Sequence, residues 1–349
     1  MRPHRSWRFA IAIFALVAAA ACSSEEADGP AVSLERDISP IPLELEWRRG
    51  GAEEDSVLYD PWVVRAVPGQ AVVLDHGGHR VRSFDIETGT LLWSAGRRGS
   101  GPLEFEDPRD LFYDSGNWGV WDARTGRLTH ISQQGQLASE RIITSQLPPN
   151  RFCPLGDGRL GVLWNSPEAA LGVLAPDDRV SELAHLPWSY LARDAPLQRQ
   201  AKWATDGSGS CVAVLLTASG FVSFGEDGLG RGHPYAEAIE PPRAWASGSG
   251  GSEAFGIEDI TVATRDAFLH GPELWLLFQG KTEDAGRLID VHDIETGDYL
   301  HSYKLPFWGA TSIARLGELL FVTRTLDAYP VLEAYRILSD HDPPALPTR

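Results

Sequence analysis

The chain has 349 residues, a formal net charge of −17 and 43% hydrophobic residues, with 35 glycines and 24 prolines. A chain of this length can bury a large core in one or two domains. Its acidity argues against a nucleic-acid partner and against attachment to an anionic membrane surface by charge. The many glycines, prolines and aromatic residues are typical of an all-β protein with many turns.

The first residues have the pattern of a targeting segment. Arg2, Arg5 and Arg8 precede an apolar run from Phe9 to Ala21, which is shorter than the roughly 20 residues that span a bilayer. We therefore predict a signal peptide over residues 1–21. Its end, LVAAAAC, resembles the lipobox of bacterial lipoproteins, which implies cleavage before Cys22 and a lipid on its thiol. The alternative is cleavage near an A-x-A site, with no role for Cys22.

The predicted mature chain begins with a polar segment. Residues 22–40 have no apolar periodicity, and we expect a lipidated, flexible tether there. The protein would then be exported to the cell envelope, on the periplasmic or outer-membrane face, and would touch the membrane only through its lipid anchor. We also expect the tail, residues 339–349, to be frayed.

Residues 41–338 show a repeated pattern of two apolar strands around a glycine-containing turn. Short strands rich in β-branched and aromatic residues, separated by Gly/Asp/Asn clusters, indicate antiparallel hairpins. The turns of the successive units contain Gly69, Gly116, Gly158, Gly207, Gly271 and Gly317. Repeats of about 40 to 65 residues are typical of propeller blades. We predict an all-β, six-bladed β-propeller, in which the N-terminal segment Leu43–Trp47 supplies the missing outer strand of the last blade.

One pentapeptide occurs twice, as Asp85–Gly89 and as Asp293–Gly297. We interpret both copies as turns, because aspartate caps a turn and glycine adopts a positive φ at little cost. The alternative, that these acids bind a metal, is weaker. Cys153 and Cys211 form an even pair in an oxidising compartment, where they could form a disulfide between neighbouring blades or stay as two buried thiols.

One stretch, Gly96–Asp122, resembles the NHL repeat. The matching residues are Gly99, Gly101, Pro102, Phe105, Pro108, Asp114, Gly116, Asn117 and Asp122. The resemblance implies a six-bladed propeller similar to bacterial lipoproteins of mostly unassigned function. A second stretch, Asp85–Trp93, resembles the repeat of quinone-binding propellers and of the outer-membrane assembly lipoprotein, which have eight blades. That family is the second alternative.

Basic residues recur near the start of the innermost strands. Counting back five residues from the turn gives Arg109, Arg151 and Arg265, with Lys202 near the same register and Thr311 in the last blade. Inner strands surround the central channel of a propeller, and guanidinium groups pair with carboxylates or phosphates. These residues therefore predict a channel mouth that binds a small anionic ligand.

Three alternatives stay open for this site. The arginines could pair with Asp107, Asp110, Glu258 or Asp266 and only join blades. The protein could be a scaffold for an envelope protein, or a metal-dependent lyase or lactonase-type hydrolase acting in the channel. His76 and His79 are the only close histidine pair, and no catalytic motif stands out. We therefore predict a binding module rather than an enzyme, with no cofactor unless a divalent metal binds.

Overall fold

The computed structural model describes residues 34–51, 58–145, 148–164, 170–187, 200–207, 209–225, 228–247, 254–258, 260–326 and 328–338. The predicted signal peptide, Cys22 and the tail 339–349 lie outside these residues. Every regular element in the described ranges is a strand. None of these ranges contains a helix of the length and apolarity that a membrane span requires.

Two strands precede the first blade, β1 (Ile38–Pro40) and β2 (Leu43–Gly50). Six blades form the ring, each built on four antiparallel strands; β2 is the outer strand of blade 6, and β1 is added to the outer edge of blade 5. From the channel outward, the strands of the first three blades are, for blade 1, β3 (Pro61–Val67), β4 (Gln70–Asp75), β5 (Arg80–Asp85) and β6 (Leu91–Ala95); for blade 2, β7 (Pro108–Asp114), β8 (Asn117–Asp122), β9 (Arg127–Ser132) and β10 (Leu137–Ile142); and for blade 3, β11 (Pro149–Gly156), β12 (Arg159–Trp164), β13 (Leu171–Leu174) and β14 (Val180–Ala184).

The remaining blades repeat this order, with one extra hairpin. The strands are, for blade 4, β15 (Ala201–Thr205), β16 (Cys211–Leu215), β17 (Phe221–Gly225) and β18 (Gly228–His233); for the hairpin, β19 (Arg243–Ser247) and β20 (Ala254–Glu258); for blade 5, β21 (Thr264–His270), β22 (Glu273–Phe278), β23 (Leu288–Asp293) and β24 (Tyr299–Lys304); and for blade 6, β25 (Ala310–Leu316), β26 (Leu319–Leu326) and β27 (Tyr329–Ile337). The six inner strands contact one another in sequence and close a ring, which confirms the predicted six-bladed propeller.

The N-terminal strand β2 closes the ring, as the sequence predicts. It pairs antiparallel with β27, from Leu43 opposite Ile337 to Gly50 opposite Val331. Trp47 anchors this strand, because its ring packs on Phe84 of blade 1 and Phe321 of blade 6 and its Nε1 donates to the carbonyl of Ile86 at 2.8 Å. Closure leaves neither end of the ring open for pairing with another chain.

The core consists of six apolar clusters, one at each interface between neighbouring blades. Trp118, Trp121 and Trp275 are fully buried in them, in the packing role expected of most tryptophans here. Cys153 on β11 and Cys211 on β16 are joined by a disulfide, with their Cα atoms 6.1 Å apart. This disulfide links blades 3 and 4.

Residues 34–40, the described end of the predicted tether, form ordered contacts with the propeller. β1 pairs in parallel with β24 as a fifth strand of blade 5. The side chain of Arg36, 8% exposed, lies 2.7 Å from Glu237 and 2.8 Å from Asp290 and stacks over the Phe278 ring. Strand pairing and one buried cation hold this segment, and it has no apolar stripe. The hydropathy of the sequence therefore does not predict that it is ordered.

We predict that Trp47→Ala lowers the free energy of unfolding by about 3 to 5 kcal/mol, because it empties a site between two blades. Urea denaturation of both variants and the parent measures this. Leu45→Ala is the matched control on the same strand, since Leu45 is 43% exposed, and it should change stability by less than about 1 kcal/mol. Equal losses in the two variants would show that β2 is not packed as described.

Candidate functional site

Five of the six inner strands begin with a β-bulge. The pairing register shifts by one residue near the start of β3, β7, β11, β21 and β25. The extra residues are Trp62, Arg109, Asn150, Arg265 and Thr311. A bulge re-aims the side chains beside it, so the residue after each bulge has a different role from the bulge residue itself. Inner strand β15 of blade 4 has no such shift.

At three of the five bulges, the residue that follows the bulge accepts a hydrogen bond from a backbone amide of the next blade. Asp110 accepts from the Phe152 amide at 2.7 Å, Asp266 accepts from the Ile313 amide at 3.1 Å, and Ser312 Oγ accepts from the Val64 amide at 3.0 Å. These bonds join blade 2 to 3, blade 5 to 6 and blade 6 to 1. The same backbone position is therefore used three times to hold neighbouring inner strands together.

Asp266 has the most contacts of these residues. Its fully buried carboxylate accepts from Ser312 Oγ and lies 3.2 Å from Nη1 of Arg65 and 3.8 Å from Nζ of Lys202. Burial alone would raise the pKa of Asp266, but the charges of Arg65 and Lys202 and the Ser312 hydrogen bond outweigh it and lower the pKa. One carboxylate thus contacts blades 1, 4 and 6 from blade 5.

Asp110 and Arg151 extend this group across the channel. Burial raises the pKa of Asp110, and the charge of Arg151 offsets this only in part. Burial also lowers the pKa of Arg151. Arg65, Asp110, Arg151, Lys202 and Asp266, which we name the channel cluster, are close enough for their charges to act on one another.

Arg151 is the least compensated member of the channel cluster. It is 9% exposed, and its Nη1 donates to the carbonyl and side-chain oxygens of the adjacent Asn150. It forms no ion pair with any described residue. Lys202 differs, because Asp266 lies 3.8 Å from its Nζ, which also donates to the Arg265 carbonyl at 2.6 Å; burial still lowers the pKa of Lys202. A buried cation without a close counter-charge favours an anion.

The two bulge arginines lie nearer the surface, at the end of the channel where the strands start. Nε of Arg109 donates to both oxygens of Asp107 at 2.9 and 2.8 Å, and its guanidinium lies 5.7 Å from the centre of the Trp62 ring. The imidazole of His76 stacks on the Trp62 ring, with the ring centres 3.9 Å apart, and its Nε2 is hydrogen-bonded to Asp107 at 3.1 Å. Burial would raise the pKa of Asp107, but these hydrogen bonds lower it.

Arg265 and Thr311 complete the predicted residues. Nε of Arg265 donates to Oε1 of Gln279 at 2.7 Å, and its side chain is exposed. Thr311 Oγ1 donates to the Thr323 carbonyl at 3.1 Å. The structure therefore places Arg109, Arg265 and Thr311 at one register, Arg151 one position deeper, and Lys202 within reach of Asp266.

The acidic neighbours show that the channel is not purely basic. Arg109 pairs with Asp107, as one alternative anticipates, whereas the side chain of Glu258 lies outside the described residues. Sequence counting did not assign a site role to Arg65, and it treated Asp110 and Asp266 only as partners. The Arg-Asp dipeptide at residues 109–110 and 265–266 is the signal that could have identified both aspartates.

Outside the channel, the described residues contain fewer features that indicate a binding site. No group of three or more His, Cys, Asp or Glu side chains in those ranges is placed to hold a metal ion. A cleft of about 650 Å³ lies at blade 4, lined by residues of β16, β17 and β18 together with Leu155 and Ile294. None of the described residues that line this cleft is charged.

Comparisons with known proteins identify the fold only. No family model and no curated protein matches the chain in sequence. Similar solved structures include an exported protein of Bacteroides fragilis, with a TM-score of 0.57 and 10% identity over 88% of this chain and all of that one. Virginiamycin B lyase of Staphylococcus aureus has a TM-score of 0.52 and 11% identity over 85% of this chain and all of that one. A DUF4221 family member of Bacteroides vulgatus has a TM-score of 0.52 and 11% identity over 86% and 99%.

We predict opposite effects for two substitutions at the same register. The pKa of Asp266 is lowered from 3.8, so its charge stabilises the fold above about pH 4 and this contribution is lost as the pH falls below that value. Asp266→Asn should therefore lower the free energy of unfolding at pH 7 by about 3 to 5 kcal/mol, and stability should then fall less steeply in acid.

Asp110→Asn is the matched comparison. Because the pKa of Asp110 is raised from 3.8, its ionised form becomes unfavourable as the pH rises above that value. An amide avoids this cost and can still accept from the Phe152 amide, so stability at pH 7 should be unchanged or higher. Denaturant unfolding between pH 3 and pH 8 measures both variants, and a similar loss in the two would contradict this assignment of charges.

Proposed function

We propose that this protein is an exported, lipid-anchored β-propeller that binds a small anionic ligand at the mouth of its central channel. The ligand would enter past Arg109 and Arg265 and approach Arg151 and Lys202. Thr311, at the same register as the two arginines, would line the entrance. The protein as a whole carries a net charge of −17, so cations collected at one site distinguish this region from the rest of the surface.

The observation that carries the proposal is the environment of Arg151. Its guanidinium is buried in the channel, and no described acid forms an ion pair with it. Such a group costs stability unless an anion compensates it. Buried charges without a counter-charge are typical of binding sites, because such sites lower the stability of the folded protein for the sake of function.

Three further observations support the location and the anchoring. The N-terminal sequence has the three parts of a signal peptide followed by Cys22. One structural neighbour is itself described as an exported protein. The disulfide between Cys153 and Cys211 fits an oxidising compartment.

The lyase alternative rests on fold similarity alone, since fold does not determine function. The described residues contain no metal-ligand group, so they give that alternative no support of their own. An envelope-protein scaffold is compatible with the same fold, but no specific contact of the described residues favours it. We therefore retain the anion-binding module.

We expect Arg151→Gln to weaken the binding of acetate and inorganic phosphate by about tenfold or more, because it removes a charge-assisted hydrogen-bond donor. The free energy of unfolding should be unchanged or higher, because a poorly compensated buried charge is lost. Arg151→Lys, which keeps the charge, should bind more tightly than the glutamine variant. Titration calorimetry and thermal unfolding on the full chain measure these effects.

The control is Arg179→Gln, since Arg179 is a surface arginine whose side chain is 82% exposed. It should bind both anions as the parent does. Wild-type affinity in Arg151→Gln, or equal weakening in both variants, would show that the channel is not the anion site.

The anchor is tested separately. Cys22→Ala should release the protein from the membrane fraction into the soluble envelope fraction, because the lipid would be the only membrane contact. Fractionation with mass analysis of the N-terminal peptide measures this. An unmodified Cys22 in the parent protein would contradict the lipoprotein assignment.

A further inference from the structure

The sequence Arg-Asp occurs at the same register in two blades. Arg109 and Asp110 are the second and third residues of β7, and Arg265 and Asp266 are the second and third of β21; in both, the arginine is the extra residue of the bulge and the aspartate follows it. Both aspartates accept the backbone amide of the next blade. The local structure of the two dipeptides is therefore the same in these respects.

The two dipeptides lie opposite each other. The inner strands form a closed ring of six, and blades 2 and 5 are three positions apart in that ring. Three of six positions correspond to a rotation of half a turn about the channel axis, so equivalent residues of blades 2 and 5 lie on opposite sides of the channel. Arg109 and Arg265 therefore face each other across the mouth, with the channel cluster between and below them.

Both arginines are held in the same way. One nitrogen, Nε, is fixed by a neighbour, Asp107 for Arg109 and Gln279 for Arg265. The terminal Nη groups of both form no hydrogen bond with any described residue. Arg109 keeps 43% of its side chain exposed, and Arg265 is exposed. Each guanidinium is thus oriented by its Nε contact and still has two donor groups to offer, which suits bidentate recognition of a carboxylate or phosphate.

We infer that the mouth binds an elongated ligand with two anionic ends, one held by Arg109 and the other by Arg265. This inference rests on the proposed anion-binding function and specifies its ligand class. A single anion can use only one of two sites on opposite sides of the channel, whereas a dianion of matching length uses both. The second contact is then intramolecular and increases affinity by its effective concentration.

The test is a series of α,ω-dicarboxylates, from succinate to pimelate, with acetate as the single-anion probe, titrated into the full chain by calorimetry. One length should bind at least tenfold more tightly than acetate. Arg109→Gln and Arg265→Gln should each reduce the affinity for that dicarboxylate to within about threefold of the affinity for acetate. The double variant should show little further loss of affinity beyond that of either single variant. Arg179→Gln should change none of these affinities.

A parallel series of α,ω-bisphosphonates, with inorganic phosphate as the single-anion probe, shows which anionic group the mouth prefers. If single and double anions bind with the same affinity, and neither Arg109 nor Arg265 affects that affinity, the inference of a ligand with two anionic ends is wrong. If those affinities still fall in Arg151→Gln, the channel remains the anion site and only the ligand class is wrong. If no probe of either series binds, both the ligand class and the anion-binding function are overturned.

Discussion

The buried carboxylate of Asp266 is the contact on which the centre of this molecule depends. It joins four blades, through Arg65, Lys202 and Ser312 as well as the amide of Ile313. Removing a single partner would leave a charge inside the protein, which is costly. Because Ser312 Oγ in turn accepts from the Val64 amide, the same chain of bonds reaches the blade that follows the point of ring closure. The candidate site is built around this carboxylate, so its geometry and the stability of the ring are linked.

The channel cluster is unequal in its charge balance. Asp266 is matched by two cations, whereas Arg151 has only the more distant Asp110, whose pKa is raised. A purely structural centre would pair each charge, since unpaired buried charges lower stability without compensation. The imbalance therefore separates Asp266, whose contacts join blades, from Arg151, where we propose that a ligand binds.

Much of the fold could be predicted from sequence because its signals are local. Gly116 and Gly158 mark turns, alternating apolar residues mark strands, and the lone strand near Leu43 needs a partner that only blade 6 lacks. The site was harder to predict from sequence. Arg151 follows the bulge of its strand, whereas Arg109 and Arg265 are themselves the bulge residues of theirs. The contact of Arg65 with Asp266 joins residues 201 positions apart, and Arg36 holds the N-terminal segment through ion pairs with Glu237 and Asp290. No periodicity encodes such contacts.

The similar structures share the ring but at 10 to 11% identity, so the side chains in the channel must carry the functional argument. The most direct measurement is an anomalous difference map from crystals of the full chain soaked in selenate. The account predicts the strongest selenate peak in the channel, within hydrogen-bonding distance of Arg151 and below Arg109 and Arg265. Peaks confined to the outer surface, with none in the channel, would contradict it.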